Sequence, residues 1–385
     1  MRVALISSSF YPATFYGGPV SATWDLSRKL GDQGIEVYVS TTNANGKERL
    51  RVKTNEFINK GKNLFVKYYH EQIINRFSFK YILGLWKDIA KSDLVYIQYL
   101  FHYTVFFALI YSFLQNKKII ICPRGSFSHF TLHYKWSLLK SLWLSVLIKP
   151  LCKDVCWHVS SYLEEQDILK LFPKADIKVI NDGIDYNTFQ DIDKLDKKEL
   201  LYKFTNHNFE KISHIFFSMG RLHKIKRFDA VIDAFVLFLN DYPDAKLLIA
   251  GPDDGCRNNL LKQIQDLHLS NSVFLIGSLD FRSKCLVMGN VDLFILASYF
   301  ESFGIVVAES LACGTPVVVS NNTPWKDIEK NKCGIFTESE YDGLYLSFKR
   351  FLDMEFDSNM IRNYVRVNYD WHVIVKKFIN LIKSQ

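Results

Sequence analysis

The stretch from Glu301 to Ser320, ESFGIVVAESLACGTPVVVS, decides the fold because it contains a loop, a buried helix and a buried strand in succession. The helix is predicted over 305–312, where nearly every position is apolar, with Gly314 as its C-terminal stop and a strand from Pro316 onward. Glu309 is an acid inside this apolar helix. Because an unpaired buried carboxylate costs several kcal/mol, we expect Glu309 to meet a hydroxyl-rich ligand or a cation. A half-exposed surface position for Glu309 is the alternative.

The start of the same helix has the features of an anion site. Gly304 opens the helix and leaves its first N–H groups free to meet a phosphate. Glu301 stands in the loop just before it. A phosphate, a sugar and a second polyol could therefore be held within about ten residues of one another.

Length and composition favour a soluble protein of two domains. The chain has 385 residues, 48% apolar and 23% charged. Residues 1–190 carry 24 Lys plus Arg against 15 Asp plus Glu, a net charge of +9, whereas the remainder carries 24 against 25. The first half is therefore the better candidate to face anionic lipid or an anionic acceptor, unless its basic surface serves solubility alone.

Cysteine usage and hydropathy exclude several classes of protein. The seven Cys are scattered and odd in number, so we predict reduced core residues and no zinc site. The N-terminus begins with a short strand pattern that differs from a signal peptide. The longest apolar stretch, 100–114, is too short for a spanning helix, so no transmembrane segment is predicted.

Short runs rich in β-branched or aromatic residues alternate with helix-length segments along the chain. This alternation predicts parallel sheets with helices on both faces. The predicted strands are 3–7, 36–41, 94–99 and 118–122 in the first half, and 215–218, 246–250, 273–276, 293–296 and 316–320 in the second. Two doubly wound α/β domains follow, and the polar, weakly periodic residues 186–199 are the predicted linker.

Residues 135–153, KWSLLKSLWLSVLIKPLCK, combine Trp and Leu at helical spacing with flanking lysines. The predicted apolar stripe contains Trp136, Leu139, Trp143, Leu144 and Leu147. Such a helix suits a membrane surface. An ordinary helix packed on the sheet is the slightly favoured alternative, and both interpretations stay open.

Two loops follow strands and have phosphate-binding features. Gly17 and Gly18 precede a predicted helix over 20–30, where they allow close backbone approach to a ligand, although such a pair could also be a simple turn. Arg221 and Lys226 follow the first strand of the second domain, so both cations could converge on one diphosphate. Lys224 and Arg227, in the same loop, are predicted to face solvent.

Together these residues resemble family 4 of the retaining glycosyltransferases, over essentially the whole chain. The features that carry the resemblance are Gly17-Gly18-Pro19, the turn 181–185, Gly220-Arg221-Leu222 with Lys226, and the pair Glu301 and Glu309. It implies the GT-B fold, in which two doubly wound Rossmann-like domains have parallel sheets that face a central cleft. The N-terminal acceptor-side domain would comprise residues 1–188 and the donor-binding domain residues 200–370, with a C-terminal helix, 371–385, packing back on the first.

The resemblance also implies roles for individual residues. Arg221, Lys226 and Glu301 would be the catalytic set, in which the two cations stabilise the departing diphosphate and Glu301 binds hydroxyls of the transferred sugar. Glu309 would bind the ribose hydroxyls. The implied donor-binding residues are Gly17, Gly18, Phe303, Gly304, Ile305 and Glu309.

One departure from the family pattern concerns residues 123–127, PRGSF, where many relatives have a His-Gly pair. Arg124 cannot act as a base at neutral pH, so we expect it to contact an acceptor phosphate or the donor. The variant is associated with a branch that makes surface polysaccharides. His102, after the strand 94–99, is a second possible acceptor or donor contact, although a lone His among aromatic residues is more often structural.

The resulting hypothesis is a retaining, metal-independent hexosyltransferase that uses a UDP- or GDP-sugar and needs no cofactor. Its acceptor would be a polyprenyl-pyrophosphate-linked or other growing saccharide of surface polysaccharide, lipopolysaccharide or capsule biosynthesis. The expected location is cytoplasmic, with peripheral attachment to the inner membrane as an open possibility and no nucleic-acid partner. A GT-B nucleotide-sugar epimerase and a non-catalytic nucleotide-sugar-binding subunit are the alternatives.

Overall fold

The computed structural model describes residues 1–72, 77–134 and 137–385. Lys135 and Trp136, which belong to the predicted amphipathic segment, lie outside the described residues. The chain divides into two compact units, one of residues 1–183 with 371–385 and one of residues 184–370.

The strands are β1 Arg2–Ile6, β2 Glu36–Thr42, β3 Ala44–Asn45, β4 Glu48–Arg49, β5 Ile58–Gly61, β6 Leu64–Tyr69, β7 Leu94–Gln98, β8 Lys118–Cys122, β9 Cys156–Val159, β10 Asp176–Val179, β11 Ile215–Met219, β12 Lys246–Ala250, β13 Val273–Gly277, β14 Leu293–Leu296, β15 Val317–Ser320 and β16 Gly334–Thr337. The α-helices are α1 Gly18–Asp32, α2 Phe79–Ala90, α3 Tyr103–Leu114, α4 His129–Tyr134, α5 Ser137–Trp143, α6 Lys149–Leu151, α7 Tyr162–Leu171, α8 Lys197–Thr205, α9 Phe228–Asp241, α10 Arg257–Asp266, α11 Phe281–Asn290, α12 Ile305–Ala312, α13 Tyr341–Leu352, α14 Ser358–Asn368 and α15 Trp371–Ser384.

The first unit contains a sheet with the strand order β10-β9-β8-β7-β1-β2-β6-β5, parallel throughout except where β5 pairs antiparallel with β6. Successive side chains of a strand point to opposite faces. Val3 and Leu5 of β1 accordingly join the apolar layer of α15, whereas Ala4 and Ile6 join the layer of α2 and α3. Both faces are covered, as expected for a parallel sheet.

Helix α15 is held in the first unit by its apolar side. Trp371 lies directly over Gly183, where a Cβ atom would come within 2.7 Å of the indole ring. Phe378 meets the ring of His158 at 4.6 Å between centroids. Trp371, Ile374 and Phe378 are all buried, so burial of apolar area holds this helix in place.

The second unit contains a parallel sheet with the order β13-β12-β11-β14-β15-β16. Phe216 and Phe217 of β11 point to opposite faces and belong to separate apolar layers. Helix α12 packs on the Phe217 side through Val307 and Leu311. This packing places the start of α12 at the carboxyl edge of the sheet, where parallel α/β folds bind ligands.

The prediction of two doubly wound α/β sheets is confirmed, with every predicted strand present to within one residue at each end. Residues 186–199, predicted as a linker, belong to the second unit, where they form a 3-10 turn over Tyr186–Phe189 and the first turn of α8. The seven cysteines are free, and six of them are buried. Among the described helices, none is long and apolar enough to cross a bilayer.

Candidate functional site

Helix α12 begins and ends at the predicted residues and buries its acid. The side chain of Glu309 is 11% exposed, and its Oε1 accepts a bond of 2.5 Å from Nζ of Lys284 on α11. The prediction that Glu309 meets a cation is therefore confirmed. The second carboxylate oxygen, Oε2, is buried and has no hydrogen-bond partner among the described residues. An unsatisfied buried acceptor is costly, so Oε2 is suited to a hydroxyl donor from a ligand.

The N-terminal end of α12 presents backbone donors. Gly304 precedes the helix with a φ of 81° and, as a glycine, contributes no capping side chain of its own. Phe303 is fixed from both sides, because its buried ring packs on Trp325 at 5.1 Å and its carbonyl accepts a bond of 2.6 Å from the indole N–H. The residue before α12 is thus fixed in place, and the start of an α-helix is an electropositive position that suits an anion.

Glu301 and Lys226 form an ion pair at the same carboxyl edge of the sheet. Their side chains are 14% and 16% exposed. Ser298, at the end of β14, donates a second bond of 2.6 Å to Oε1 of Glu301. A backbone bond of 2.8 Å from the N–H of Tyr299 to the carbonyl of Ile225 joins the two loops that carry the pair. The structure therefore brings Lys226 and Glu301 together, as one charge-neutral group.

Arg221 has a carboxylate partner of its own. Its Nη1 lies 2.5 Å from Oδ2 of Asp254, and the Arg221 side chain is 43% exposed. The backbone around it is tightly packed, because a Cβ atom at Gly251 would overlap the carbonyl of Gly220. Arg221 and Lys226 thus lie on one loop but are held by different acids, and their convergence on one diphosphate remains a prediction.

The prediction that Arg227 faces solvent is wrong, whereas Lys224 is exposed as predicted. Arg227 is buried, donates two bonds of 3.0 Å to the carboxylate of Glu340 and stacks on the ring of Tyr299 at 4.4 Å. Its backbone has the left-handed φ of 54°. From the sequence, a buried basic residue in this loop looks the same as a solvent-exposed one, because its acidic partner lies more than a hundred residues away.

Gly17 and Gly18 lie in the first unit, at the start of α1. Gly17 has a φ of 74° and nothing within 4 Å of a Cβ atom built on it, so its conformation alone requires glycine. The helix starts at Gly18, two residues before its predicted start, with Pro19 in the first turn. The space beside Gly17 leaves room for a ligand to approach the backbone closely. Contact of this glycine with the donor stays a prediction.

Arg124 is buried in the first unit. Its guanidinium is 1% exposed, and Nη1 donates bonds of 2.6 and 2.7 Å to the two carboxylate oxygens of Asp182. The atoms Nε and Nη2 have no partner among the described residues. The structure thus gives Arg124 an internal partner through Nη1 and leaves Nε and Nη2 as unused donors among the described residues. The sequence singled out the turn 181–185, which contains Asp182, but it did not predict that this acid pairs with Arg124.

Other buried polar groups surround Arg124. Tyr96 and His158 share a hydrogen bond of 2.7 Å between the hydroxyl and Nδ1, and Nε2 of His158 bonds the carbonyl of Ile180 at 2.8 Å. Burial, with a smaller contribution from the nearby Arg124, lowers the pKa of His158 to about 4. Burial raises the pKa of Glu164, which accepts bonds from Ser160 and from the backbone after Arg124. These bonds fix the position of the cluster, and contact of Arg124 with an acceptor phosphate or the donor stays a prediction.

His102 caps α3 and lines a cavity of about 620 Å³ in the first unit. Its Nδ1 lies 2.8 Å from the hydroxyl of Thr104, and its ring packs on Tyr103. The other lining residues are mainly aromatic: Phe15, Gly46, Lys47, Phe77, Phe101 and Tyr103. Aromatic walls with a few polar groups are typical of a small-molecule pocket.

Within residues 1–72, 77–134 and 137–385, no group of three or more His, Cys, Asp and Glu side chains is placed to hold a metal ion. Sequence reasoning missed the partners Lys284, Ser298 and Asp254. Lys284 and Asp254 stand on different elements from their partners, so only the tertiary fold brings these two pairs together, whereas Ser298 lies three residues before Glu301 in the same loop.

Comparison with known proteins agrees with this geometry. Residues 203–367 match the family described as Glycosyl transferases group 1. The chain is similar to alpha-monoglucosyldiacylglycerol synthase of Streptococcus pneumoniae, with 26% identity across 89% of this chain and 76% of that protein. It also resembles N-acetyl-alpha-D-glucosaminyl L-malate synthase of Bacillus anthracis, with 32% identity across 43% of this chain and 41% of that protein.

Solved structures are similar along the whole chain. The Anabaena Alr3699/HepE structure in complex with UDP-glucose aligns over 100% of both chains, with a TM-score of 0.75 and 18% identity. The sucrose-phosphate synthase of Thermosynechococcus elongatus aligns over 100% of this chain and 98% of that one, with a TM-score of 0.74 and 17% identity. These likenesses establish the GT-B fold, as predicted. Residues 203–367 thus match the group 1 glycosyltransferases, and the chain along its whole length has the fold of GT-B glycosyltransferases.

Proposed function

We propose that the protein is a retaining hexosyltransferase that moves a sugar from a nucleotide diphosphate donor to a lipid-linked or growing saccharide acceptor. The observation that carries the proposal is the buried Oε2 of Glu309, which has no hydrogen-bond partner among the described residues and lies on the helix that begins directly after Gly304. A ribose hydroxyl would satisfy the carboxylate and a phosphate would satisfy the helix. A nucleotide sugar contains both groups.

In this proposal the second unit binds the donor. Glu309 accepts a hydrogen bond from the ribose, and the backbone of Phe303, Gly304 and Ile305 meets phosphate or sugar. Glu301 accepts bonds from hydroxyls of the transferred sugar, while Arg221 and Lys226 neutralise the diphosphate. Arg221 forms an ion pair with Asp254, and Lys226 forms one with Glu301. The donor must therefore compete with these two acids for the cations.

The proposed reaction occurs on one face of the sugar. The bond from the anomeric carbon to the diphosphate breaks with its electron pair on the phosphate oxygen. The acceptor oxygen then bonds the anomeric carbon on the same face, and its proton passes to the departing phosphate. No side-chain nucleophile and no metal are required, because Arg221, Lys226 and the helix N–H groups stabilise the charge that develops on the leaving group.

The donor base is proposed to be uracil or guanine. Similar solved structures contain UDP and UDP-glucose, which favours uracil as the first base to test. A polyprenyl-pyrophosphate-linked saccharide is the proposed acceptor, in surface polysaccharide, lipopolysaccharide or capsule synthesis. One similar protein is named for a glycolipid product. His102, which lines the aromatic cavity, is better placed for acceptor contact than the enclosed Arg124.

The proposed location is the cytoplasm, with peripheral attachment to the cytoplasmic face of the inner membrane and no nucleic-acid partner. The basic excess of residues 1–190 supports an anionic surface as the place of attachment.

A thermal-shift screen with UDP, GDP and their hexoses tests the donor proposal, because a ligand that binds only the folded state raises its stability. In transfer assays, we expect Arg221→Ala and Lys226→Ala to slow turnover by on the order of a hundredfold, as for a lost oxyanion donor. Lys224→Ala, in an exposed neighbour of the same loop, is the matched control and should retain its rate. Undiminished transfer by the Arg221→Ala protein would remove the proposed diphosphate role.

Two further measurements address the chemistry. The anomeric configuration of the product, read from its NMR coupling constant, should equal that of the donor. The rate should be unchanged after treatment with a chelator. An inverted product or loss of activity on chelation would contradict the corresponding part of the proposal.

A further inference from the structure

We infer that α2, α3 and α5 together form a face of the first unit that docks on an anionic lipid bilayer. The inference deepens the acceptor half of the proposed function and rests on it for one point, that a lipid-linked acceptor brings the chain to a membrane. Everything else in it comes from the surface of these three helices.

The three helices form one layer on the same face of the sheet. Trp86 of α2 packs edge-on against Tyr111 of α3 at 5.3 Å, and Phe106 of α3 packs on Trp143 of α5 at 5.9 Å. The buried sides of α2, α3 and the turn after α5 share one apolar cluster. Helix α3 therefore lies between α2 and α5, and the outer sides of the three helices form a continuous surface.

Helix α5 and the turn after it expose a row of aliphatic side chains. Leu138 is 86% exposed and Leu142 is 59% exposed, with Leu139 and Val146 beside them. The predicted stripe was different, because Trp143 is half-buried with its indole N–H bonded to the carbonyl of residue 100, and Leu144 is buried. This helix thus packs on the protein through one apolar side and presents a second apolar side to its surroundings.

Helix α2 presents a similar row. Phe79, Leu83 and Trp86 stand at i, i+4 and i+7, a spacing that places them on one side of a helix. Leu83 is 76% exposed, and the last turn of α3 adds the exposed Phe113 and Leu114. Monomeric soluble proteins rarely expose large apolar patches of this kind, and such patches mark interaction surfaces.

The charge of this surface identifies the partner. Residues 79–91, 103–118 and 137–154 contain eight Lys and two Asp, without Arg or Glu. One of the two acids, Asp88, is buried and paired with Lys67, and two of the lysines, Lys117 and Lys140, are half-buried and bond backbone carbonyls. Six exposed Lys and one exposed Asp therefore remain. Apolar side chains flanked by lysines fit a bilayer with anionic headgroups, since the rows enter the acyl boundary and the ammonium groups reach the phosphates. A second copy of the chain is a poorer partner, because a two-fold contact would oppose lysine to lysine.

Vesicle flotation of the full chain tests the inference. The wild-type protein should float with phosphatidylglycerol vesicles at low salt, should be released as salt rises, and should float poorly with pure phosphatidylcholine. Leu138→Glu combined with Leu142→Glu should lower the partition coefficient by at least about tenfold, because two apolar anchors become acidic. Leu83→Glu on α2 should lower it separately, which tests the wider face against α5 alone.

The matched control is Leu346→Glu on α13 of the second unit, a leucine that is also 59% exposed. This variant should float like the wild type. Wild-type flotation of the Leu138→Glu, Leu142→Glu protein would overturn the inference, as would equal loss in the Leu346→Glu protein. A dimer that the α5 substitutions dissociate, with no vesicle binding, would overturn it in favour of self-association.

The thermal shift with UDP is measured on every variant and separates this inference from the proposed function. A retained shift shows that the substituted protein is folded and that its donor site is intact. A wild-type protein that floats but binds no nucleotide would defeat the proposed function and leave the docking face standing. A protein that binds nucleotide but never floats with vesicles would defeat the docking face and leave the proposed function standing.

Discussion

Removing the cation beside Glu309 tests the central feature of the site. Lys284→Met keeps the length and the apolar stem of the side chain, which lies near the ring of Phe281, but leaves the carboxylate of Glu309 without its partner. Breaking a buried ion pair from one side costs about 3–5 kcal/mol. Because the two side chains are 15% and 11% exposed, we expect the lower end, about 3 kcal/mol. For a unit of this size, that loss corresponds to a fall of about 6–12 °C in melting temperature.

The assay is urea unfolding of the full chain, with hydrogen exchange of peptides from 293–320 to follow the second unit by itself. Lys262→Met, at an exposed lysine of α10, is the matched control and should leave stability unchanged. Lys284→Met combined with Glu309→Gln should recover most of the loss, since no unpaired charge remains. The coupling free energy should be about 2 kcal/mol. Wild-type stability of the Lys284→Met protein would refute the view that Glu309 is an enclosed, compensated charge.

The same variants separate folding from ligand binding. Glu309→Gln should weaken nucleotide binding about 10- to 100-fold, because a hydrogen bond to a charged acceptor is lost. Lys284→Met keeps the acceptor, so its folded fraction should still bind. If both variants lost affinity equally, the orphaned Oε2 would have no special role in holding a ribose.

Two other predictions concern buried groups with unusual environments. His158→Gln should make the free energy of unfolding fall less steeply at acid pH. Burial lowers the pKa of His158 from 6.5 to about 4, so the unfolded chain takes up a proton in this range that the folded protein does not. The wild-type protein therefore has its full stability above pH 6.5 and loses about 3 kcal/mol in all as the pH falls toward 4. Urea unfolding across this pH range checks the difference from wild type, and parallel curves would contradict it. Arg227→Gly should be more stable than Arg227→Ala by about 1 kcal/mol, because both lose the pair with Glu340 but only glycine adopts the φ of 54° without strain. Equal melting temperatures of the two proteins would show that the left-handed backbone carries no cost.

Most of the strands that the sequence predicts are buried on both faces, although the buried β9 was missed and the edge strand β13 was predicted. Strand β8 has an almost uninterrupted β-branched run and is found over the predicted residues. By contrast, β10, with the sequence DIKV, is an edge strand with mostly exposed positions, and it has only four alternating polar and apolar residues and no apolar run. Burial imposes a pattern on a sequence, and an edge strand escapes most of that constraint.

Residues of the candidate site also differ in whether the sequence alone predicts their environment. Helix α12, its opening glycine and the enclosed Glu309 follow from local apolar pattern and could be predicted. The ion-pair partners could not, because the pairing of Arg124 with Asp182 or of Arg227 with Glu340 depends on elements that only the sheet topology brings together. The same limit explains why Arg227 was placed in solvent, since a basic loop residue has no local signature of a distant acid.

The pairing of both loop cations with acids has a consequence for the proposed donor. Lys226 and Glu301 are both mostly buried, so withdrawing the ammonium to a diphosphate leaves the carboxylate with Ser298 alone. A nucleoside diphosphate supplies no group to replace the ammonium. A sugar nucleotide does, because hydroxyls of its sugar can donate to Glu301 at the moment when Lys226 turns to the phosphates. Under the proposed function the ion pair therefore discriminates in favour of the complete donor over the spent nucleotide, which favours release of the product after transfer.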